Sequence, residues 1–149
     1  MLCLPPELAD FVEQLRVKLV EITVAEQTCL TNAVAGASQG KGLPQVQAVM
    51  ARCRQTSAAA AATAIDTFRD GCSKLGTQAN PSTSEAIIAV TAKSVSEFWA
   101  KSESRAAAFA SEAAALLPAQ GLDKTTQTIK KICSDRISSI NHYFEQLIT

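Results

Sequence analysis

The sequence predicts an all-α protein of four long amphipathic helices, packed as an antiparallel helical bundle or a coiled-coil-like assembly. In four long segments, apolar and small residues recur with the three-and-four spacing of one helix face. Gly, Pro and Ser concentrate at three places between these segments, near 36–43, 76–82 and 118–122. No segment shows the sustained period-two alternation of a strand. At 149 residues, we expect one helical domain spanning 1–149.

The first two segments run from about Pro6 to Ala35 and from Pro44 to about Leu75. In the first, apolar residues recur at intervals of seven, at Leu8, Leu15, Ile22 and Cys29. Three glycines between 36 and 42 end this helix, since so many glycines in a short stretch do not hold helical structure. The middle of the second segment, 57–63, contains only small residues, which would let another backbone approach closely.

The third segment starts after Pro81 and extends to about Leu117. Ser82 and Glu85 fit a capping box, in which a hydroxyl and a carboxylate satisfy the first-turn N–H groups. Its predicted apolar face consists of Ile87, Ile88, Thr91, Val95, Phe98, Ser102, Ala106, Phe109, Ala113 and Leu116. Trp99 falls at the edge of that face. The fourth segment begins after Leu122-Asp123, with a face of Ile129, Ile132, Cys133, Ile137, Ile140, Phe144 and Leu147.

Composition excludes several classes of function. Fourteen basic side chains balance fourteen acidic ones, so the chain lacks the positive surface that nucleic-acid binding requires. No apolar stretch approaches the roughly 20 residues that span a bilayer, so we expect no transmembrane segment. Residues 1–7 lack the basic and apolar regions of a signal peptide. Alanine is abundant while aromatic residues make up only 5%, which predicts a thin core and favours self-association.

The five cysteines are widely spaced and include no CxxC pair. Four of them (Cys29, Cys53, Cys72 and Cys133) fall on apolar helix faces, where a reduced cysteine acts as a small hydrophobic residue. The pattern therefore predicts free thiols in a reducing cytoplasm.

Catalytic and cofactor patterns are missing from the sequence, so we expect a protein that is not an enzyme, with no metal and no cofactor. His142 is the single histidine and is expected at the surface or the edge of the core. Gly40-Lys41 is followed by glycine where a phosphate-binding loop needs Ser or Thr. Arg105 interrupts a small-residue sector of the third helix and is expected to extend outward or to pair with an acidic neighbour.

The remaining candidates for a site are apolar side chains of the third helix: Val95, Phe98, Trp99 and Phe109. An amphipathic helix with aromatic residues on one side and polar residues on the other can lie at an apolar–water boundary. The alternative is that both neighbouring rings, Phe98 and Trp99, anchor the core of a bundle. The position of Trp99 distinguishes the interface-bound helix from the core anchor, because this residue lies off the main apolar face.

The stretch from about Ser57 to Gln120 resembles the phasins, small helical proteins that coat polyhydroxyalkanoate granules in bacteria. Three features carry the resemblance: an alanine-rich helix that ends in a Phe…Leu pair, a Ser-x-x-Glu-Ala-Ile element after a break, and a helix with spaced Val, Phe, Ala and Leu residues. These features correspond to Phe68 and Leu75, to Pro81 through Ile87, and to Val95, Phe98, Ala106, Phe109, Ala113 and Leu116. The chain departs from the family pattern at 88–91, where Ile-Ala-Val-Thr replaces the usual Leu-Gln element.

The resemblance implies a cytoplasmic, non-enzymatic, self-associating protein that adsorbs on a polyhydroxyalkanoate granule surface or another apolar interface. A second hypothesis is a soluble helical-bundle adaptor or chaperone that binds another protein's helix. A third is an enzyme or small-ligand binder that uses the interior of the bundle. Adsorption to apolar particles without a protein partner distinguishes the first hypothesis from the second.

Overall fold

The computed structural model describes Leu4, residues 6–76 and residues 81–147, apart from the side chains of residues 76 and 81–84. Four long helices form the fold, as the sequence predicts: α1 (Ala9–Ala35), α2 (Leu43–Gly76), α3 (Pro81–Ala115) and α5 (Leu122–Glu145). A one-turn helix, α4 (Leu117–Gln120), lies within the third predicted break. Two 3₁₀ turns, Pro6–Leu8 and Gly36–Gln39, flank α1. The described part of the chain contains no β-sheet, so the predicted all-α class is confirmed.

The long helices form a four-sided bundle in which each packs on two others. α1 packs on α2, α2 on α3, and α5 lies between α3 and α1. α1 runs antiparallel to α2, since Phe11 contacts Gly71 whereas Cys29 bonds to Cys53. It also runs antiparallel to α5, where Arg16 contacts Asn141 and Glu26 contacts Arg136. The ends of the chain meet, since the backbone N–H of Leu4 donates to the carbonyl of Leu147 over 2.9 Å.

Two glycines make the turns at one end of the bundle. Gly40 has φ 87° after the 3₁₀ turn, and Gly121 has φ 89° between α4 and α5. A side chain disfavours such positive φ values, so glycine is the residue that permits both turns. The sequence signals at 36–43 and 118–122 therefore have a specific backbone cause.

The apolar core is divided into two clusters, one toward each end of the bundle. The larger cluster surrounds Leu15, Leu19, Phe68, Val95 and Trp99, near the chain termini. The smaller cluster contains Leu30, Val34, Val46, Met50 and Ile129, near the Gly40 and Gly121 turns. Polar side chains that are buried nearly as completely as these lie between the two clusters.

The buried face of α3 differs from the face that the sequence predicted in its second half. Trp99 is only 5% exposed, whereas Phe109 is 49% and Leu116 is 53% exposed. The predicted face followed a strict seven-residue interval, and an α-helix drifts by about 20° per seven residues relative to that interval. Over three intervals the drift moves Phe109 out of the core and brings Ala107, Ala110 and Ala114 into it.

The cysteines require a second correction. Cys72 and Cys133 are buried free thiols, as expected, but Cys29 and Cys53 form a disulfide. The two lie 24 residues apart in sequence, yet the antiparallel pairing of α1 and α2 brings their Cα atoms within 5.8 Å. Such a separation is within the range for a disulfide, so the prediction of reduced cysteines at these positions was wrong.

The predicted cap formed by Ser82 and Glu85 lies outside the described residues, because the side chains at 81–84 are not among them. None of the helices in the described ranges combines the length and the apolar character needed to cross a membrane.

Candidate functional site

A buried ion pair crosses the bundle between the two apolar clusters. Glu26 on α1 and Arg136 on α5 have side chains that are only 4% and 3% exposed. Arg136 Nη1 donates a hydrogen bond to Glu26 Oε2. Both residues continue the apolar face of their helix, since Glu26 lies four residues after Ile22 and Arg136 three residues after Cys133.

Arg136 of α5 is held by side chains of two other helices, α1 and α3. Its Nε donates to the Ser102 hydroxyl on α3 over 3.2 Å. Its guanidinium carbon lies 4.1 Å from the centre of the Trp99 ring, in the geometry of a cation–π contact. Trp99 therefore packs against a cation on one face and the apolar core elsewhere.

Glu26, Arg136, Ser102 and Trp99 form a polar layer between the two apolar clusters. Contacts among side chains do not satisfy every hydrogen-bonding atom of this layer. Glu26 Oε1, Arg136 Nη2 and Trp99 Nε1 are buried without a hydrogen-bond partner among the described residues, as is Thr91 Oγ1 in the larger cluster. A buried polar atom without a partner loses the hydrogen bonds that water supplied in the unfolded chain, at a cost of about 1–3 kcal/mol. Direct side-chain contacts therefore leave these buried atoms to be satisfied by water, and each atom that water does not reach carries this cost.

Burial raises the pKa of Glu26, and the nearby Arg136 charge opposes that effect without cancelling it. A raised folded-state pKa means that the folded chain favours the protonated carboxyl. The stability that protonated Glu26 contributes to the fold is fully present below the pKa that this group has in the unfolded chain. It is lost as the pH rises through the raised pKa of the folded chain. Glu103 on α3 adds to the effect through its negative charge, although Arg54 on α2 pairs with Glu103 over 2.8 Å.

A small cavity of about 90 Å³ adjoins the ion pair inside the bundle. Glu26, Arg54 and Glu103 supply its polar wall, and residues such as Met50 and Ile129 supply the apolar wall. The volume suits a few water molecules, which would hydrogen-bond to the open Glu26 oxygen.

A larger groove of about 450 Å³ lies on the surface between α3 and α5. Phe98, Lys101, Arg105 and Phe109 line it from α3, at intervals that place them along one side of that helix. The opposite wall includes Ile132, Asp135, Arg136 and Ser139 of α5. Arg136 thus contributes to the polar layer and to the inner wall of the groove.

The structure separates the four predicted site residues of α3. Val95 and Trp99 are buried within the bundle. Phe98 is half-buried, and its ring stacks on Tyr143 with centroids 4.2 Å apart. Phe109 alone of the four is exposed, and it lies at the groove. Contact of Val95 or Trp99 with an external apolar surface stays a prediction, and it requires the bundle to open.

The two free thiols are buried, whereas the histidine is exposed. Burial raises the pKa of the Cys72 thiol and of the Cys133 thiol to about 11, so both stay protonated near neutral pH. His142 is exposed on α5 and lies 3.2 Å from the Gln146 side chain. Within the described ranges, no group of three or more His, Cys, Asp or Glu residues could hold a metal ion. Arg105 is exposed and extends outward, as the sequence analysis expected.

The small-residue sector of α2 faces a third concavity, an open groove of about 810 Å³ along α1 and α2. Ala60 and Ala64 form its floor together with Phe11 and Leu15 of α1. Gly71 closes one end by packing directly against the Phe11 ring.

The ion pair was not predicted from the sequence, although the sequence contains a signal for it. Glu26 follows Leu19 by seven residues and Arg136 follows Ile129 by seven, so each charge interrupts an otherwise apolar face. Two opposite charges at core positions of helices that pack together predict a buried pair. The predicted face of the fourth segment ran through Ile132 and Ile137 and passed over Arg136.

Comparisons with protein-family models, curated proteins and solved structures give no match to this chain.

Proposed function

We propose that this protein is a non-enzymatic helical bundle that opens to coat an apolar interface, in the manner of a phasin on a polyhydroxyalkanoate granule. The observation that supports this most is the buried ion pair of Glu26 and Arg136 between the two apolar clusters. Replacing a buried ion pair by apolar residues is often neutral or stabilising, because desolvation offsets the attraction of the charges. The native pair therefore favours a bundle that opens readily.

Opening would release polar and apolar groups together. Glu26, Arg136 and Trp99 Nε1 would regain hydrogen bonds to water, while Val95 and the Trp99 ring would become available to an apolar surface. Burying a large apolar side chain at such a surface stabilises adsorption by roughly 1.5–3 kcal/mol. The long α3, with 35 residues, would supply the extended amphipathic face that an interface-bound helix needs.

The disulfide determines which helices separate. Cys29 and Cys53 join α1 to α2, so these two helices stay together when the bundle opens. We propose that the α3–α5 half moves away from the α1–α2 half and presents Val95 and Trp99, while Phe98 stays stacked on Tyr143 of α5. A disulfide is rare in a reducing cytoplasm, so the predicted cytoplasmic location, which a granule coat implies, requires that this bond resist reduction there.

Adsorption by opening is tested with the double substitution Glu26→Met plus Arg136→Met, which leaves the net charge unchanged. We expect the variant to be more stable to denaturant than the wild type and to adsorb less on polyhydroxybutyrate particles and triglyceride droplets. A stability gain of about 1.4 kcal/mol lowers the open population, and hence the apparent affinity, about tenfold. Co-sedimentation with washed particles measures the bound fraction.

Phe109→Ser is the matched control, because this ring is already exposed in the closed bundle. It should leave stability unchanged and weaken adsorption only through lost surface contact. Emission from Trp99, the single tryptophan, reports opening when the protein adsorbs. The proposal fails if the wild type ignores both kinds of particle, or if the stabilised double variant adsorbs as well as the wild type.

The groove along α1 and α2 favours a second candidate, an adaptor that binds a helix of another protein. Its floor of Ala60 and Ala64 would admit a partner helix at short distance, as small residues do at close helix contacts. Filling the groove by Ala60→Leu would block such a partner and leave particle adsorption intact. Loss of adsorption in this variant would instead assign the same face to the interface.

A further inference from the structure

We propose that the groove between α3 and α5 binds an amphiphilic monocarboxylate, a small molecule with one carboxylate and a medium-length acyl chain. The proposal concerns the closed bundle and does not depend on adsorption to particles. It rests on three properties of the groove: the charges at its mouth, the aromatic side chains along it and its size.

The charges at the mouth are unbalanced. Lys101 and Arg105 are both exposed and lie four residues apart, so they are neighbours on the surface of α3. Neither forms an ion pair with a residue in the described ranges, and two like charges at this spacing destabilise a helix slightly. Asp135 is the single acidic side chain lining the groove. It balances one of the two cations, and Arg136 is balanced by Glu26, so one positive charge remains without a counter-charge.

A carboxylate supplies the missing charge. It presents two acceptor oxygens and can bind an arginine through two hydrogen bonds at once. Placed between Lys101 and Arg105, it would neutralise the surplus charge and remove the repulsion between the two cations.

The aromatic side chains fit an acyl chain. Phe98 and Phe109 lie on either side of the two cations along α3. Phe109 is 49% exposed and the stacked Phe98–Tyr143 pair makes the other end rigid. Ala106 and Ile132 form an apolar floor between the two helices. A bound chain would cover Phe109, which is otherwise one of the largest apolar side chains in contact with water.

The volume of the groove, about 450 Å³, lies within the usual range of small-molecule sites. A charged head at the mouth and an apolar floor are also the common arrangement of such sites, in which few polar groups set the orientation. The same cations would repel a quaternary ammonium amphiphile of equal length, so the site distinguishes head groups.

The experiment measures binding of decanoate to the full chain by isothermal titration calorimetry, below the concentration at which decanoate forms micelles. We expect saturable binding of one molecule per chain and no comparable binding of decyltrimethylammonium. Lys101→Gln plus Arg105→Gln should weaken decanoate binding by at least about tenfold, since it removes both head-group contacts. Phe109→Ser should weaken it through the acyl chain.

Lys130→Gln plus Lys131→Gln is the matched control, because it removes the same charge from exposed positions of α5 outside the groove. Decanoate binding should be unchanged in this variant. Equal binding of both amphiphiles, or unchanged binding in Lys101→Gln plus Arg105→Gln, would overturn the proposal. If that double variant fails to fold, Arg105→Gln alone and the head-group comparison on the wild type decide the question. Loss of particle adsorption with decanoate binding intact would count against the proposed function only.

Discussion

Trp99 is the residue at which sequence and structure differ most in consequence. Its position off the seven-residue face left open whether the ring lies at the surface or in the core, and the structure buries it between Arg136 and the larger apolar cluster. Phe109 shows the reverse, since it lies on the predicted face and is exposed. Of the two rings, Phe109 is therefore the one available to an external surface in the closed bundle.

We expect Trp99→Ala to lower the free energy of unfolding by about 3–5 kcal/mol, because it removes a large core side chain and uncovers the Arg136 guanidinium. Phe109→Ala should change it by less than about 0.5 kcal/mol, as is usual for an exposed position. Urea unfolding followed by circular dichroism measures both. Equal stability losses in the two variants would show that the buried face of α3 is not the one described.

At the scale of the elements, the close approach of α1 and α2 depends on Gly71. A Cβ atom at this position would lie 2.6 Å from the Phe11 ring, well inside contact distance. The ring is half-buried and packs against the larger cluster, so an added methyl would push it out of this packing toward the groove along α1 and α2.

Gly71→Ala should therefore destabilise the bundle by about 1–3 kcal/mol, despite the higher helix propensity of alanine. Gly42→Ala serves as the control, because its nearest neighbour would be Pro44 Cδ at 3.7 Å, an ordinary contact. Thermal unfolding compares the two variants. A stabilised Gly71→Ala variant would mean that α1 and α2 are farther apart than the structure shows.

The number and order of the long helices could be predicted from the sequence, because apolar periodicity and turn residues are local signals. The buried face in the second half of α3 could not be predicted in this way. Its drift around the helix becomes clear only when the whole helix is packed against its neighbours. The Cys29–Cys53 bond likewise depends on the register of α1 against α2, which no local signal sets. Glu26 and Arg136 could be recognised in the sequence as charges at core positions. Their contact with each other follows only from the arrangement of the helices in the bundle.

At the scale of the whole molecule, the disulfide should contribute strongly to stability. It closes a loop across the α1–α2 turn with a sequence separation of 24, for which loop entropy predicts about 3 kcal/mol. A reducing agent should lower the unfolding midpoint of the wild type and leave that of Cys29→Ser plus Cys53→Ser unchanged. An insensitive wild type would show that the bond does not form in solution.

The polar layer also specifies how the helices are aligned along the bundle. The apolar faces of α1 and α5 both repeat about every seven residues, so α5 could slide along α1 by one such step and still meet apolar side chains. Such a slide would place Glu26 opposite Ile129 or Tyr143 instead of Arg136, and a buried carboxylate would be left without its counter-charge. Since breaking a buried pair costs about 3–5 kcal/mol, one pair at one level suffices to select a single alignment.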